Sequence, residues 1–397
     1  VVYSAVLAGK AAGFAPFDCD ETTGMKILQI TRQYLPSTGG LESAVEGLSQ
    51  AVQNAGHEVR IVTLKKIFRT GERAPAESVV NGLNVSRIPH WGSRRYPIAP
   101  TVLTRINGSD LLHIHAVDFF VDFLSLSRIF HRRPIVLSTH GGYFHTRWLH
   151  WFKSVYFQTI TRQTLKHVAA VICVSEHDYE IFSAIVPKEK LYLVRNGVQV
   201  ESYANVQKTI TPGLLVGIGR VSSHKGIDRL IDAVAEVRKT RPEVQLVWAG
   251  PDEEGRIEGL RKLAQQAGVG DAVKFTGRVE VSELKRLLSQ ANLFVSGSSY
   301  EGYGLSTIEA MSSGTVPVVT RVGIHPQLIR SGENGFLVDS DTASLSDGLR
   351  MALNAGPSEL ARMGQQALEI SALCTWRRAV EGYLEIYGSV LAGCSQQ

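Results

Sequence analysis

Glu301-Gly-Tyr-Gly-Leu-Ser-Thr-Ile-Glu309 sets two carboxylates around two glycines, between an apolar run and a helical one. Gly302 and Gly304 let the backbone come close to a ligand. The free N–H groups at a helix start suit a diphosphate. Carboxylates accept hydrogen bonds from sugar hydroxyls, so each glutamate can grip a sugar ring. A plainer reading competes, because Ser306-x-x-Glu309 has capping-box spacing. That would account for Glu309, but not for Glu301 or the paired glycines.

Three other segments carry usable groups. Gly219-Arg220-Val-Ser-Ser-His-Lys225-Gly226 puts two cations in a strand-to-helix loop, where side chains and helix N–H groups converge on phosphate. Gly217-x-Gly219 begins a dinucleotide fingerprint, yet Ser222 stands where the third glycine belongs. Gly39-Gly40 is a second glycine-rich helix start, a weak signal alone. Ser138-Thr-His140-Gly-Gly142 ends an apolar strand, which lets His140 donate to a sugar or to developing charge. The Asp18-Cys-Asp20 and Asp339-Ser-Asp341 triplets belong to no nucleotide loop. Two cations already supply countercharge, so no metal is expected.

The elements that must position these groups alternate along the chain. Apolar strands fall at 26–31, 58–64, 111–115, 135–139, 168–174 and 191–195, with a helix at 41–54. A polar stretch, 207–213, reads as a linker. Strands at 214–218, 244–249, 272–276, 293–296 and 316–320 then alternate with helices at 227–239, 257–267, 281–290 and 306–313. This pattern predicts an α/β chain with parallel sheets covered on both faces. Its two doubly wound, Rossmann-like domains would bind ligand at the strands' carboxyl ends, in a cleft where the domains face each other. The 397 residues suit two domains: 25–206 first and 207–375 second. Residues 376–397 read as a helix returning to the first domain, and 1–24 as a disordered upstream extension.

Composition excludes disordered and fibrous classes, at 44% hydrophobic and 20% charged residues. No apolar run approaches the ~20 residues that span a bilayer. Four cysteines without CxxC spacing fit a reducing compartment, with Cys173 a buried small side chain. Charge is uneven: residues 1–200 carry 22 Lys/Arg and 15 Asp/Glu, a net of +7, whereas 201–397 carry 20 and 22, a net of −2. The first half therefore expects an anionic partner. Nucleic acid would explain that charge but leave the Glu301 loop without purpose. In 145–167, Trp148, Trp151, Phe152, Tyr156 and Phe157 interleave with Arg147, Lys153, Arg162 and Lys166, as in an interfacial helix. Phe119, Phe120 and Phe123 are expected to add apolar surface nearby. An ordinary half-buried helix with a basic face is the alternative.

Glu301-x7-Glu309, Gly219-Arg220…Lys225, Gly39-Gly40 and Asn196-Gly197-Val198 together resemble the family-4 retaining glycosyltransferases of GT-B fold, from Met25 to about Tyr387. Arg32–Glu42, Gly92–Pro97, His115–Phe120 and Ser138–His145 are similar to the α-mannosyltransferases of acetan and xanthan assembly. Those enzymes move mannose from GDP-mannose onto a cellobiosyl-diphosphopolyprenol lipid through an α-1,3 link. The resemblance implies that Arg220 and Lys225 hold the donor diphosphate and stabilise the leaving group. Glu309 would hold the ribose. Glu301 with Gly302, Tyr303, Gly304, Leu305 and Ser306 would hold mannose and phosphate. His140 would touch the transferred sugar, Arg278 and Val279 would meet the base, and Gly39 and Gly40 would flank the donor. Arg94, Arg95, Asp118 and Tyr143 would serve the acceptor, and Trp148, Trp151, Phe152 and Lys153 the membrane. The expected place is the cytoplasmic face of a bacterial inner membrane, peripherally, in exopolysaccharide assembly. A UDP-sugar hexosyltransferase and a sugar-nucleotide epimerase of the same fold are the alternatives.

Overall fold

The computed structural model describes residues 24–395 apart from 38, 95, 141–155, 204–205 and 302. The chain divides into two compact units, Val1–Gly197 with Trp376–Gln397, and Val198–Thr375. The division falls before the polar 207–213 stretch that sequence alone marks as the join. Val198 N donates to Cys374 O at 2.7 Å, and Val198, Val200 and Tyr203 are buried in the core of the second unit. These apolar contacts, rather than linker polarity, decide where the unit begins.

The first unit is built on an eight-stranded sheet, β10-β9-β8-β7-β1-β2-β4-β3. Its strands are β1 (Lys26–Ile30), β2 (Glu58–Leu64), β3 (Glu77–Val80), β4 (Leu83–Ile88), β7 (Leu111–His115), β8 (Ile135–Ser138), β9 (Ala170–Cys173) and β10 (Leu191–Leu193). A two-stranded ribbon, β5 (Trp91–Gly92) and β6 (Pro97–Ile98), stands beside it in sequence. All neighbours in the large sheet are parallel except β3 and β4. That antiparallel pair turns through Asn81 (φ 50°) and Gly82 (φ 80°), the left-handed pair that a two-residue hairpin needs. The inner parallel strands are buried on both faces, and β7 and β8 are buried at every residue, whereas the edge strand β10 is half-buried.

Helices cover both faces of this sheet. α1 (Gly40–Asn54) packs against the last helix of the chain, which also belongs to this unit. On the other side lie α2 (Phe119–Leu126), the single turn α3 (Arg128–His131), and α4 (Arg162–Leu165), entered through a π-helical turn at Phe157–Thr161. α5 (Glu176–Ser183) follows β9. Phe119 and Phe120 are buried in the sheet-facing core and Phe123 is half-buried against it, so they do not form the apolar surface their sequence suggested. Helix α2 turns its phenylalanines inward, into the core they share with Leu124 and Leu165.

The second unit holds six parallel strands in the order β13-β12-β11-β14-β15-β16. They are β11 (Leu214–Ile218), β12 (Gln245–Ala249), β13 (Val273–Gly277), β14 (Leu293–Ser296), β15 (Val316–Thr320) and β16 (Phe336–Val338). The helices are α6 (Ile227–Arg238), α7 (Ile257–Gln266), α8 (Val281–Gln290), α9 (Leu305–Ser312), α10 (His325–Leu328), α11 (Thr342–Asn354) and α12 (Gly356–Ser371). The chain closes with α13 (Trp376–Ser395) in the first unit. Each sheet has one place where the chain's direction of winding reverses: between β1 and β7 in the first, and between β11 and β14 in the second. Loops leaving those paired strands diverge, and the gap between them is where such sheets take ligands.

Candidate active site

In the second unit both glycine-bearing loops leave this switch point. Residues 219–226 follow β11, and 297–304 follow β14. Backbone contact fixes one loop on the other. Ser299 N donates to His224 O at 2.8 Å, and Arg229 donates to Gly297 O at 2.9 Å. Gly226 sits at φ 60°, and a Cβ there would lie 2.1 Å from Gly297 O. Only glycine fits that crossing.

This crossing brings Lys225 Nζ to 2.6 Å from Glu301 Oε1, with the two side chains only 12% and 11% exposed. Ser298 donates to the same carboxylate oxygen at 2.6 Å. Burial alone would raise the Glu301 carboxyl. The Lys225 ammonium and the hydrogen bonds from Lys225 and Ser298 outweigh it and hold the group below the ordinary carboxylate value. Arg220, by contrast, is 64% exposed and meets Glu253 at 3.3 Å on the surface. Such a pair is easily exchanged for another anion.

Helix α9 starts without a side-chain cap. Its N-cap is Gly304 at φ 71°, so Ser306 lies inside the first turn and the capping box does not form. The loop arrives in left-handed backbone at Gly304, and Ser306 falls two positions past the cap. His325 lies beneath this turn, fully buried, with Nε2 2.9 Å from Thr307 Oγ1 and Nδ1 2.8 Å from Thr320 O. Burial pushes Glu309 up to about 7. Its carboxylate has no hydrogen-bond or ion-pair partner among the described residues. Tyr303 is buried in the same core, with Leu305 and Val279 half-buried against it. Arg278 is exposed just past β13. Ser298 and His325 were not singled out by sequence, although Ser296-Gly-Ser-Ser beside the Glu301 loop held the signal for the first.

The first unit repeats the arrangement with different chemistry. Arg32, after β1, and Asp118, after β7, meet across the switch point with Nε 3.1 Å from Oδ2. The Asp118 side chain is fully buried, and its other oxygen caps α2 by accepting from Phe120 N at 2.9 Å. Burial, opposed by Arg32, pushes this carboxyl up to about 7. Tyr96 donates to Asp122 at 2.8 Å, and Tyr156 donates to the same oxygen.

His140, after β8, is held at φ 51°. Its Nε2 is 2.8 Å from His115 Nδ1, and His115 Nε2 is 2.7 Å from Gln29 Oε1. Beside them His113 joins Ser138 Oγ at 2.8 Å to the Tyr387 hydroxyl at 2.7 Å. Burial pushes His140 down to about 4 and His113 and His115 well below their ordinary value, so all three are neutral at pH 7. A neutral imidazole can donate or accept a hydrogen bond without adding charge. Gly39 caps α1 and Gly40 begins it. Arg94 is exposed. Arg95, Tyr143, Trp148, Trp151, Phe152, Lys153 and Gly302 lie outside the described residues.

A family model described as glycosyl transferases group 1 matches residues 202–369, and a Glycosyltransferase Family 4 model matches 38–202. The chain is 34% identical to the GDP-mannose:cellobiosyl-diphosphopolyprenol alpha-mannosyltransferase of Xanthomonas campestris, over 92% of this chain and 97% of that one. The chain is a family-4 glycosyltransferase. A protein of the same description from Komagataeibacter xylinus is 32% identical to this glycosyltransferase, over 94% of each chain. Anabaena HepE in complex with UDP matches it with a TM-score of 0.72 at 19% identity, over 92% of this chain and 100% of that one, which carries the GT-B fold. In this glycosyltransferase each unit carries polar loops at its own switch point. Cations and carboxylates gather in the second, and neutral histidines with a buried Asp–Arg pair in the first.

Proposed function

We propose that this glycosyltransferase moves mannose from GDP-mannose to a cellobiosyl-diphosphopolyprenol lipid, forms an α-1,3 link, and retains the anomeric configuration. The observation that carries the reading is the pairing of Lys225 with Glu301 at the second switch point, in a chain aligned almost end to end with two mannosyltransferases of that description.

The donor diphosphate sits on the free N–H groups of α9, with Arg220 leaving its surface partner and Lys225 turning part of its charge toward phosphate. Glu301 then accepts from mannose hydroxyls, and Glu309 accepts from the ribose. In the reaction the bond between mannose C1 and the β-phosphate oxygen breaks, and C1 bonds to the acceptor oxygen on the same face. The acceptor's proton passes to the departing phosphate oxygen. Arg220 and Lys225 stabilise the charge left on the diphosphate. His140, neutral, hydrogen-bonds the sugar without repelling positive charge growing at C1. No metal is assigned, because these two cations do its work. The enzyme acts peripherally at the inner face of a bacterial cytoplasmic membrane.

The reading is tested by thermal stabilisation and donor hydrolysis across GDP-mannose, UDP-glucose and UDP-GlcNAc. GDP-mannose should give the largest shift and the fastest hydrolysis. A larger response to either UDP-sugar would replace it with a UDP-dependent hexosyltransferase.

A further inference from the structure

The corner between α2 and α3 has its residues turned inside out. Leu126, Ile129 and Phe130 are 72%, 74% and 79% exposed, whereas the polar Ser127 between them is buried. Ser127 donates to Phe123 O at 2.7 Å, and half-buried His131 bonds Leu124 O at 2.9 Å. Polar groups therefore fasten this turn to the last carbonyls of α2, and its large apolar side chains face outward. Three such side chains within five residues form a patch, which single exposed apolar residues do not.

The surroundings of the patch are cationic. Arg132 and Arg133 are exposed immediately after it, and Arg128 lies within it, reaching His167 O at 3.4 Å. That contact brings in exposed Lys166 and His167. From Phe123 to Ser175 the sequence has seven Lys/Arg and no Asp or Glu. Arg128, Arg132, Arg133 and Lys166 beside an apolar tip complement an anionic surface that has an apolar interior. A protein partner would present acidic side chains around an apolar pocket, with no need for so long a stretch without acids. A bilayer with anionic headgroups offers both features over its whole area.

We propose that Leu126, Ile129 and Phe130 insert among the headgroups of an anionic bilayer, with Arg128, Arg132 and Arg133 at headgroup level. This inference gives a docking surface to the lipid-linked acceptor reading and rests on it for its purpose. The three apolar side chains contribute little to the core, so replacing them leaves the fold standing.

The experiment floats the full chain with vesicles of phosphatidylcholine alone, or with added phosphatidylglycerol, at low and high salt. Wild type should bind the anionic vesicles and largely ignore the neutral ones. L126S/I129S/F130S should weaken that binding by about tenfold or more, and R132E/R133E should remove its salt-sensitive part. Equal binding by wild type and the apolar triple variant would overturn the proposal, as would failure of wild type to bind anionic vesicles. So would a wild-type dimer that the triple variant converts to monomer, since the patch would then serve a second copy. Melting curves and GDP binding of both variants should match wild type, which keeps misfolding out of the comparison. If vesicle binding behaves as expected while no mannose reaches a lipid-linked acceptor, only the acceptor reading falls.

Discussion

Lys225→Met leaves the Glu301 carboxylate buried with its countercharge removed. At an effective dielectric of about 20, two unit charges 2.6 Å apart attract by roughly 6 kcal/mol. Much of that is offset by desolvation, and removing one partner of a buried pair costs about 3–5 kcal/mol. Ser298 still donates to Glu301 and the site is slightly open, which favours the lower end. A unit the size of Val198–Thr375 loses about 2–4 °C of melting temperature per kcal/mol, so the midpoint should fall by roughly 6–12 °C. The sign with pH follows from Glu301, whose carboxyl is depressed in the wild type. Its contribution is present above the unfolded carboxylate value and fades as pH falls through the folded one. Without Lys225 the carboxyl is raised and takes up a proton readily. The deficit should therefore be largest near neutral pH and shrink toward acid pH. Lys225→Met/Glu301→Gln removes both charges and should return to within about 3 °C of wild type, while transfer stays lost. Calorimetry of the full chain at several pH values, beside transfer assays, reads both. A single variant that melts like wild type, or a double variant no better than the single, would refute the assignment of this pair as a buried, mutually dependent unit.

Three further outcomes follow from the same geometry. Arg220→Ala should cut transfer by about tenfold or more, in line with the loss of a charge-assisted phosphate contact, with no change in melting temperature because Arg220 is exposed. GDP binding should release protons near pH 7, since hydrogen bonds to Glu309 favour its ionised form and its carboxyl starts at about 7. Calorimetric titrations in buffers of different ionisation enthalpy measure that release, which Glu309→Gln should abolish. EDTA should leave transfer nearly intact, and activity lost to EDTA and restored by magnesium or manganese would contradict the metal-free reading.

The periodicity of the chain carried the two parallel sheets, because buried parallel strands are continuous apolar runs and their helices are amphipathic. Strands β3 and β4 were missed, although Asn81-Gly82 is a strong hairpin signal between them. The glycine loops and the cations were legible as separate segments. The join between Lys225 and Glu301 was not, since a strand order that is not sequential brings them together. The histidine network was still less legible: Tyr387 reaches His113 from 274 residues away in sequence. His115 read only as part of a similar segment, because nothing in an alternating apolar strand says which polar residue it hides. The competing capping reading of Ser306-x-x-Glu309 fails for a local reason, as spacing cannot report the left-handed turn at Gly304 that displaces the cap.

Transfer itself is read by incubating the full chain with GDP-mannose and cellobiosyl-diphosphopolyprenol, then determining the linkage and anomeric form of the released oligosaccharide by NMR. The product should be a trisaccharide with one α-1,3-linked mannose. A β-linked mannose would contradict retention, and failure of mannose to transfer while a UDP-sugar does transfer would contradict the donor.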